Sequence, residues 1–253
     1  MRIYNRYFLS NKSLENELPK FYIVHGLGEY SGRYEKFIKT FMDLGFDVYI
    51  FDLPGHGYSS GKKGDIGNFY EIYYFLDNYV QDDYILFGHS LGGLISTRFV
   101  EITENKPKKL VLSSPALGDI SQMKGLLTLL SIFPKLSFSN RIDPYDLSTN
   151  RNTCEEYQRD PLVHDKITVE SALGMFAEAE LALKDINKID VPTLLLYGTE
   201  DKVVNIEEYK KIDNPSIRHV AFQKGKHELF ECIYNKNRFI EEIKKFVFSD
   251  YYK

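Results

Sequence analysis

Ser90 lies between two glycines in the run Gly88-His89-Ser90-Leu91-Gly92, directly after the apolar residues Ile85-Leu86-Phe87 and before a run of helix-compatible residues. This pattern predicts a sharp strand-to-helix turn that presents a serine hydroxyl at the edge of a sheet. Glycine is required on both sides because so tight a turn has no room for a Cβ. The helix behind it directs free N–H groups and its positive dipole end toward negative charge formed at the serine. A flexible Gly/Ser loop is the alternative, so the interpretation depends on partners elsewhere.

Two later residues are candidates for those partners. A serine hydroxyl is a poor nucleophile at neutral pH unless a positioned base removes its proton. Asp201 and His227 each follow a short apolar run, and with Ser90 they occur in the order serine, acid, histidine that such a catalytic set requires. Asp201 has an alternative role as a turn or helix-capping residue, and His227 as an exposed loop histidine, but their shared placement favours catalysis. Glu200 is the alternative acid.

Backbone donors for a developing oxyanion are expected at two positions. Losing one such donor costs on the order of 3 kcal/mol, so an ester-cleaving site needs both. One is predicted at Leu91, immediately after Ser90. The other is predicted at Leu27, in the run His25-Gly26-Leu27-Gly28, where glycines let the backbone turn inward.

Short apolar runs alternate with helical periods along most of the chain. Because these runs lack polar alternation, they predict a mostly parallel sheet with helices on both faces. In such a sheet the ligand site lies at the carboxyl ends of the strands, where Ser90, Asp201 and His227 all fall. The predicted strands cover 3–9, 21–24, 46–51, 84–87, 110–112, 193–197 and 218–222, and the predicted helices cover 34–44, 69–80, 94–102, 206–212 and 239–247.

The alternation stops after residue 114 and resumes near residue 191. We therefore expect an α/β core of residues 1–114 and 184–253, with residues 115–183 forming a mostly helical cap over the ligand edge. An apolar stretch at 126–133, ended by Pro134, predicts one cap helix, and 169–183 predicts another. The first of these helices is either the cap's own core or a wall of an acyl-chain tunnel that also contacts lipid surfaces.

Composition argues against several classes of function. The chain has 253 residues, enough for a large core, and its 32 basic and 36 acidic residues give a net charge of −4. The charges are mixed, without the basic stripe of a nucleic-acid-binding protein. The two cysteines have neither metal-ligand spacing nor disulfide-scaffold density, and we expect no metal or cofactor. With no apolar leader and no run of 18 apolar residues, a cytoplasmic protein is expected. Nothing in the pattern determines an oligomeric state.

Three longer motifs resemble those of a known group. Residues 25–34, His-Gly-Leu-Gly-Glu-Tyr-Ser-Gly-Arg-Tyr, are close to the pattern His-Gly-x-Gly-Glu-x-Ser-Gly-Arg-Tyr. Residues 52–59 resemble Asp-x-x-Gly-His-Gly-x-Ser, and residues 88–93 resemble Gly-His-Ser-Met-Gly-Gly with Leu91 for Met. Residues 134–137 and 157–162 are also similar to family segments. These motifs belong to the α/β-hydrolase superfamily, and within it to the monoacylglycerol lipase and lysophospholipase group.

The resemblance, which extends over most of the chain from residue 21, implies an α/β-hydrolase fold and a set of roles. The sheet is expected to have six to eight strands, because some 20 residues before the first certain strand are too few for the usual leading hairpin. The resemblance assigns the triad and the oxyanion hole to the positions already identified, namely Ser90, Asp201, His227, Leu27 and Leu91.

A polar pocket for the glycerol end of a substrate is implied as well. By position, the resemblance assigns Glu29, Arg33 and Tyr157 to this pocket. The alternative for Glu29 and Arg33 is a charge pair at the start of a helix. Phe230 stands where relatives can carry a second histidine, so glycerol recognition is expected to differ in detail.

The predicted function is a serine ester hydrolase that cleaves monoacylglycerols or similar single-chain acyl esters through an acyl-enzyme. Short- or medium-chain carboxylesterase, lysophospholipase and thioesterase activities on the same triad are the alternatives. A non-catalytic ligand receptor on the same scaffold is a different class, and the intact serine, acid and histidine argue against it. Ser90, where a haloalkane dehalogenase carries aspartate, argues against that reaction.

Overall fold

A seven-stranded mixed sheet forms the centre of the computed structural model, which describes residues 2–11, 18–81, 83–118 and 124–249. The strands of the described chain are β1 (Asn5–Phe8), β2 (Lys20–Val24), β3 (Val48–Phe51), β4 (Tyr84–His89), β5 (Lys109–Ser113), β6 (Ser137–Ser139), β7 (Lys166–Thr168), β8 (Thr193–Gly198) and β9 (Ile217–Phe222). The sheet has the order β1-β3-β2-β4-β5-β8-β9, and β1 alone pairs antiparallel, with β3. The predicted fold class, a mostly parallel sheet of six to eight strands with helices around it, is confirmed.

The helices connect and cover these strands. They are α1 (Glu35–Asp43), α2 (Phe69–Tyr79), α3 (Leu91–Ile102), α4 (Lys124–Leu129), α5 (Pro144–Leu147), α6 (Arg151–Arg159), α7 (Val169–Asp185) and α8 (Lys236–Val247). Several begin at a side-chain cap: Asn68 accepts a hydrogen bond from the backbone of Tyr70 in α2, and Thr168 from that of Ser171 in α7. None of the described helices is both long and apolar enough to cross a membrane.

One predicted helix is wrong. Residues 206–212 form turns and a single 3₁₀ turn, Tyr209–Lys211, where the sequence predicts a helix. A segment this short gains too few helical hydrogen bonds to offset the cost of nucleation. Tyr209 instead serves as a buried anchor, and its hydroxyl donates to the Pro115 carbonyl at 2.5 Å.

Each face of the sheet carries its own apolar core. Strand β2 shows the alternation, since Phe21 and Ile23 pack into one core while Tyr22 and Val24 pack into the other. The first core also receives α1 and α8, and the second receives α2, α3 and α7. Burial on both faces explains why the strands read as continuous apolar runs.

Between β5 and β8 the chain forms α4 to α7 together with a two-stranded antiparallel ribbon of β6 and β7. These elements extend from residue 124 to residue 185, so α7 ends two residues beyond the predicted cap of residues 115–183. The ribbon was not predicted, because three-residue strands are too short to show a period of two. The predicted apolar helix at 126–133 is α4 followed by a 3₁₀ turn, Leu130–Ile132, and the side chain of Leu126 lies outside the described residues.

Candidate active site

Ser90 lies at the turn between β4 and α3. Strand β4 ends at His89, and α3 begins at Leu91. The φ angle of Ser90 is 53°, a left-handed conformation that costs energy for a residue with a side chain. A Cβ on Gly88 would lie 2.4 Å from the Gly92 carbonyl oxygen, and one on Gly92 would lie 2.1 Å from that of Val24. Only glycine at both positions therefore lets the strand and helix approach closely enough to form this turn.

Asp201 and His227 meet at the same edge of the sheet. Asp201 follows β8 and His227 follows β9, so both loops begin at strand carboxyl ends. Nδ1 of His227 lies 2.8 Å from Oδ2 of Asp201. Because a carboxylate can only accept, Nδ1 carries the proton and Nε2 is left as the basic nitrogen. Glu200, the alternative acid, is exposed.

The second oxygen of Asp201 is held by backbone amides. Oδ1 accepts from the N–H groups of Val203 and Val204 at 2.9 and 3.2 Å. Burial by itself raises the pKa of Asp201, but the neighbouring His227 imidazole and these two amides together hold it below its ordinary value. Asp201 is therefore an ionised carboxylate, suited to orient an imidazole and to stabilise its protonated form.

His89, next to Ser90, is a packed histidine. Its Nδ1 lies 3.1 Å from the Ser113 carbonyl, and its ring centre lies 4.8 Å from that of His227. Burial lowers the pKa of His89 to about 4, although the Glu29 carboxylate opposes the change. His89 is therefore uncharged at neutral pH.

Ser90 borders an apolar cavity of about 150 Å³. Leu27 and Leu91, whose backbone amides are the predicted oxyanion donors, line the same cavity. Its other walls come mainly from the predicted cap and include Leu127, Phe138, Ile167, Met175 and Phe176. Among the described side chains of α4, Leu127 alone lines the cavity.

Ser90 also borders a second cavity of about 10 Å³. His227 lines this cavity, and so do Glu29 and Tyr157, two of the residues predicted to receive glycerol. Arg33, the third, lines a separate polar cavity and lies over the Tyr157 ring, 4.6 Å from its centre. Ser90 therefore borders a larger apolar cavity and a smaller cavity with several polar residues in its lining.

Glu228 is the site residue that sequence reasoning missed. It directly follows His227, lines the small cavity and is 1% exposed. Its carboxylate accepts from Arg33 at 2.7 Å. Its position beside the predicted base was the available signal, since a buried carboxyl group there must have a partner.

Glu29, His89 and Glu228 form a group whose donor atoms lie within 4.8 Å of one another in the described part of the chain. Such a group can ligate a metal ion. Arg33, however, contacts both carboxyl groups, so a positive charge already lies beside them. These residues suit a buried polar network around Arg33 better than a metal centre.

A family model and a solved structure match most of this chain. The family model described as serine aminopeptidase, S33, matches residues 18–231. The crystal structure of Paleococcus ferrophilus monoacylglycerol lipase is 36% identical, with a TM-score of 0.89, and the match covers 98% of this chain and 99% of that one.

Two sequence relatives differ in how much of their own length is matched. A monoglyceride lipase homolog of Monkeypox virus is 29% identical over 245 residues, 90% of this chain and 88% of its own length. An uncharacterized abhydrolase domain-containing protein of Dictyostelium discoideum is 29% identical over 192 residues, 72% of this chain. This chain covers only 20% of the length of that second protein.

Proposed function

Since the chain belongs to the serine aminopeptidase S33 family of α/β hydrolases, we propose that it is a carboxylic ester hydrolase acting on monoacylglycerols or similar single-chain acyl esters. The observation that carries this proposal is that Ser90 borders an apolar cavity of about 150 Å³ and, together with His227, a cavity of about 10 Å³. The apolar cavity suits the acyl chain of a single-chain ester, whose carbonyl group would then lie beside Ser90. The similarity to a monoacylglycerol lipase at 36% identity supports the same substrate class.

In the proposed acylation step, Ser90 Oγ attacks the ester carbonyl carbon. His227 Nε2 takes the hydroxyl proton and returns it to the oxygen of the leaving alcohol, and an ester now joins the acyl group to Ser90. Asp201, held 2.8 Å from Nδ1, keeps the imidazole in the required tautomer and stabilises the imidazolium. Water then attacks the acyl-enzyme by the same route and releases the fatty acid.

The backbone N–H groups of Leu27 and Leu91 are the proposed oxyanion donors. Leu91 is the first residue of α3, so its N–H lies at the positive end of the helix dipole. Leu27 lies in the loop after β2, and both residues border the cavity that Ser90 lines. Donors placed before the reaction cost no reorganisation when the carbonyl oxygen becomes negative.

We assign residues 115–183 to a cap that encloses the acyl chain, with the apolar cavity as its binding site. The cap also carries an exposed apolar group, which we define as the cap patch: Leu129, Ile132, Phe133 and Leu136, exposed by 75%, 75%, 60% and 47%. Apolar groups clustered on a surface mark interaction sites, and lipid aggregates are the form in which such substrates occur. We propose that the cap patch contacts the lipid surface.

The test is hydrolysis of monoacylglycerols and p-nitrophenyl esters, from acetyl to palmitoyl, by wild type and Ser90→Ala. Ser90→Ala is expected to lose at least about 10³-fold in kcat/KM. Ser96→Ala is the matched control, since Ser96 is buried on α3 and its hydroxyl has no hydrogen-bond partner in the described chain. Undiminished turnover by Ser90→Ala would exclude the mechanism.

Chain length separates the candidate substrates. A long apolar site gains about 0.8 kcal/mol per buried CH₂ until it is full, so kcat/KM is expected to rise with acyl length. Equal rates on acetyl and lauroyl esters would exclude the lipase and leave a short-chain carboxylesterase. Lysophosphatidylcholine and acyl-coenzyme A of one acyl length, compared with the monoacylglycerol, test the lysophospholipase and thioesterase alternatives.

A further inference from the structure

Arg33 joins two loops of the site that lie far apart in the chain. Its Nε donates to Glu29 Oε1 at 3.3 Å, and a terminal nitrogen donates to Glu228 Oε2 at 2.7 Å. The three side chains are almost fully buried, at 8%, 4% and 1% exposure for Arg33, Glu29 and Glu228. Glu29 belongs to the loop that holds Leu27, and Glu228 directly follows His227. These two contacts of Arg33 therefore connect the oxyanion loop to the loop of the base.

Glu29 also holds the backbone of the oxyanion loop directly. The N–H of Gly26 donates to Glu29 Oε2 at 2.8 Å, and the hydroxyl of Tyr34 donates to the same oxygen at 2.7 Å. Gly26 immediately precedes Leu27, whose N–H must lie within hydrogen-bond distance of the developing oxyanion. A change at Glu29 therefore moves the backbone that carries the donor.

These contacts take up most of the hydrogen-bonding capacity of Glu29. An ionised carboxylate offers about four acceptor positions. Gly26, Tyr34 and Arg33 take three of them. The carboxyl group of Glu228 faces the same carboxylate, with an oxygen within 4.8 Å of it. Burial and the Glu29 carboxylate raise the pKa of Glu228 to about 8 against the opposing charge of Arg33, so Glu228 is protonated at neutral pH. Little of Glu29 is left to accept from a substrate hydroxyl.

We propose that Glu29 and Arg33 are positioning residues, which hold the loop of Leu27 against the loop of His227 and do not bind the alcohol of the substrate. This inference rests on the proposed ester hydrolase function and replaces the glycerol-binding role that the resemblance implies for both residues. Arg33 is occupied in the same way as Glu29, because two carboxyl groups and the Tyr157 ring surround its guanidinium.

Two esters with the same acyl chain separate positioning from glycerol binding. 1-Monooctanoylglycerol carries a glycerol, whereas p-nitrophenyl octanoate does not. For Glu29→Gln we expect kcat/KM to fall by about 10- to 100-fold, by the same factor for both esters, because a displacement of about 1 Å costs on the order of 10²-fold. The fall is expected in kcat, with KM nearly unchanged.

Glu178→Gln is the matched control. Like Glu29, Glu178 is buried and accepts from a tyrosine hydroxyl (Tyr73, 2.8 Å) and an arginine Nε (Arg98, 3.0 Å). It lies on α7 and contacts α3 two turns beyond Ser90. Both esters are expected to keep their rates in this variant, which controls for the loss of a buried carboxylate as such.

Tyr34→Phe removes a single donor to Glu29 and serves if Glu29→Gln does not fold. A smaller fall is expected, again equal for the two esters. A fall confined to the glycerol ester would assign Glu29 to substrate binding and overturn the inference, as would unchanged rates for both esters. If hydrolysis requires Ser90 but does not depend on Glu29, only the positioning role is overturned. If the wild type is inactive on both esters, the proposed function is overturned as well.

Discussion

The imidazole of His227 owes its tautomer to Asp201. In Asp201→Asn, an amide that can donate to Nδ1 replaces the carboxylate that accepts from it at 2.8 Å. Nε2 would then carry the proton and could not act as the base, so we expect kcat/KM for ester hydrolysis to fall by about 10³- to 10⁴-fold. Glu200→Gln, at the exposed neighbouring residue, is the control and is expected to stay near wild type. Loss of activity in Glu200→Gln, with Asp201→Asn active, would reverse the assignment.

Glu228 makes stability depend on pH. Its pKa is raised from 4.5 to about 8, first by burial and further by Glu29 and Glu231, against the opposing charge of Arg33. Between these two values the folded protein keeps a proton that the unfolded chain releases, so the stability contributed by this group falls as pH rises from about 4.5 to about 8.

Glu228→Gln stays uncharged throughout this range. We therefore expect the wild-type Tm to fall relative to the Glu228→Gln Tm as pH is raised from 5 to 8, and the difference to level off above about 8. Thermal melts of the two proteins in matched buffers measure it. Glu101, whose pKa is also raised to about 8 by burial, is present in both proteins and cancels in the difference. A pH-independent difference in Tm would contradict a raised pKa at Glu228.

At the scale of elements, the turn from β4 to α3 depends on glycine. A Cβ on Gly92 would lie 2.1 Å from the Val24 carbonyl oxygen, and backbone atoms cannot yield as a flexible side chain can. Gly92→Ala is expected to lower the free energy of unfolding by about 1–3 kcal/mol and to reduce ester hydrolysis, since Ser90 lies in the same turn. Urea denaturation and kcat/KM measure the two effects.

Gly125→Ala is the control for that substitution. Gly125 lies in α4, and a Cβ there would meet no atom of the described residues within 4 Å. Since alanine favours the helix over glycine, an unchanged or slightly higher free energy of unfolding is expected. A Gly92→Ala protein as stable and active as Gly125→Ala would contradict the close approach of strand and helix.

Elements were predictable where their residues form a clear apolar pattern. The apolar runs that became β2, β4, β5 and β8 identify buried strands, because burial on both faces leaves no polar alternation. The strands β6 and β7 were missed, since three residues carry too little pattern. The apolar spacing in residues 206–212 resembles that of a helix, because Tyr209 and its apolar neighbours pack into the core from turns.

At the scale of the whole molecule, the cap patch is expected to bind lipid. Ile132→Ser/Phe133→Ser removes two of its most exposed apolar side chains, so we expect less co-sedimentation with phosphatidylcholine vesicles. Hydrolysis of dissolved p-nitrophenyl butyrate is expected to stay unchanged, because neither residue lines the acyl cavity.

Tyr70→Ser/Tyr74→Ser provides the control for the cap patch. These two tyrosines are also exposed, at 62% and 74%, but they lie on α2, outside the proposed cap. This variant is expected to bind vesicles like wild type. Equal loss in both double variants would indicate unspecific adhesion of apolar groups, and wild type that does not bind vesicles would exclude the contact.

The common edge shared by Ser90, Asp201 and His227 was predictable from the chain alone. Apolar runs mark the strands, parallel strands end at one edge, and residues just past those ends must lie near one another. The strand-to-helix turn at Ser90 and the order of the three residues can both be read directly from the sequence.

The state of Glu29 was not predictable in this way. Its motif position suggests a residue that is open to substrate, yet the folded chain gives it Gly26, Tyr34, Arg33 and Glu228 as partners. Glu228 lies far from Glu29 in the sequence. Glu29 follows β2, next to β4 at the sheet centre, and Glu228 follows β9 at the sheet edge, so only the folded sheet brings the two residues together. Whether a buried carboxylate is free or occupied depends on neighbours in space, which spacing along the chain does not encode.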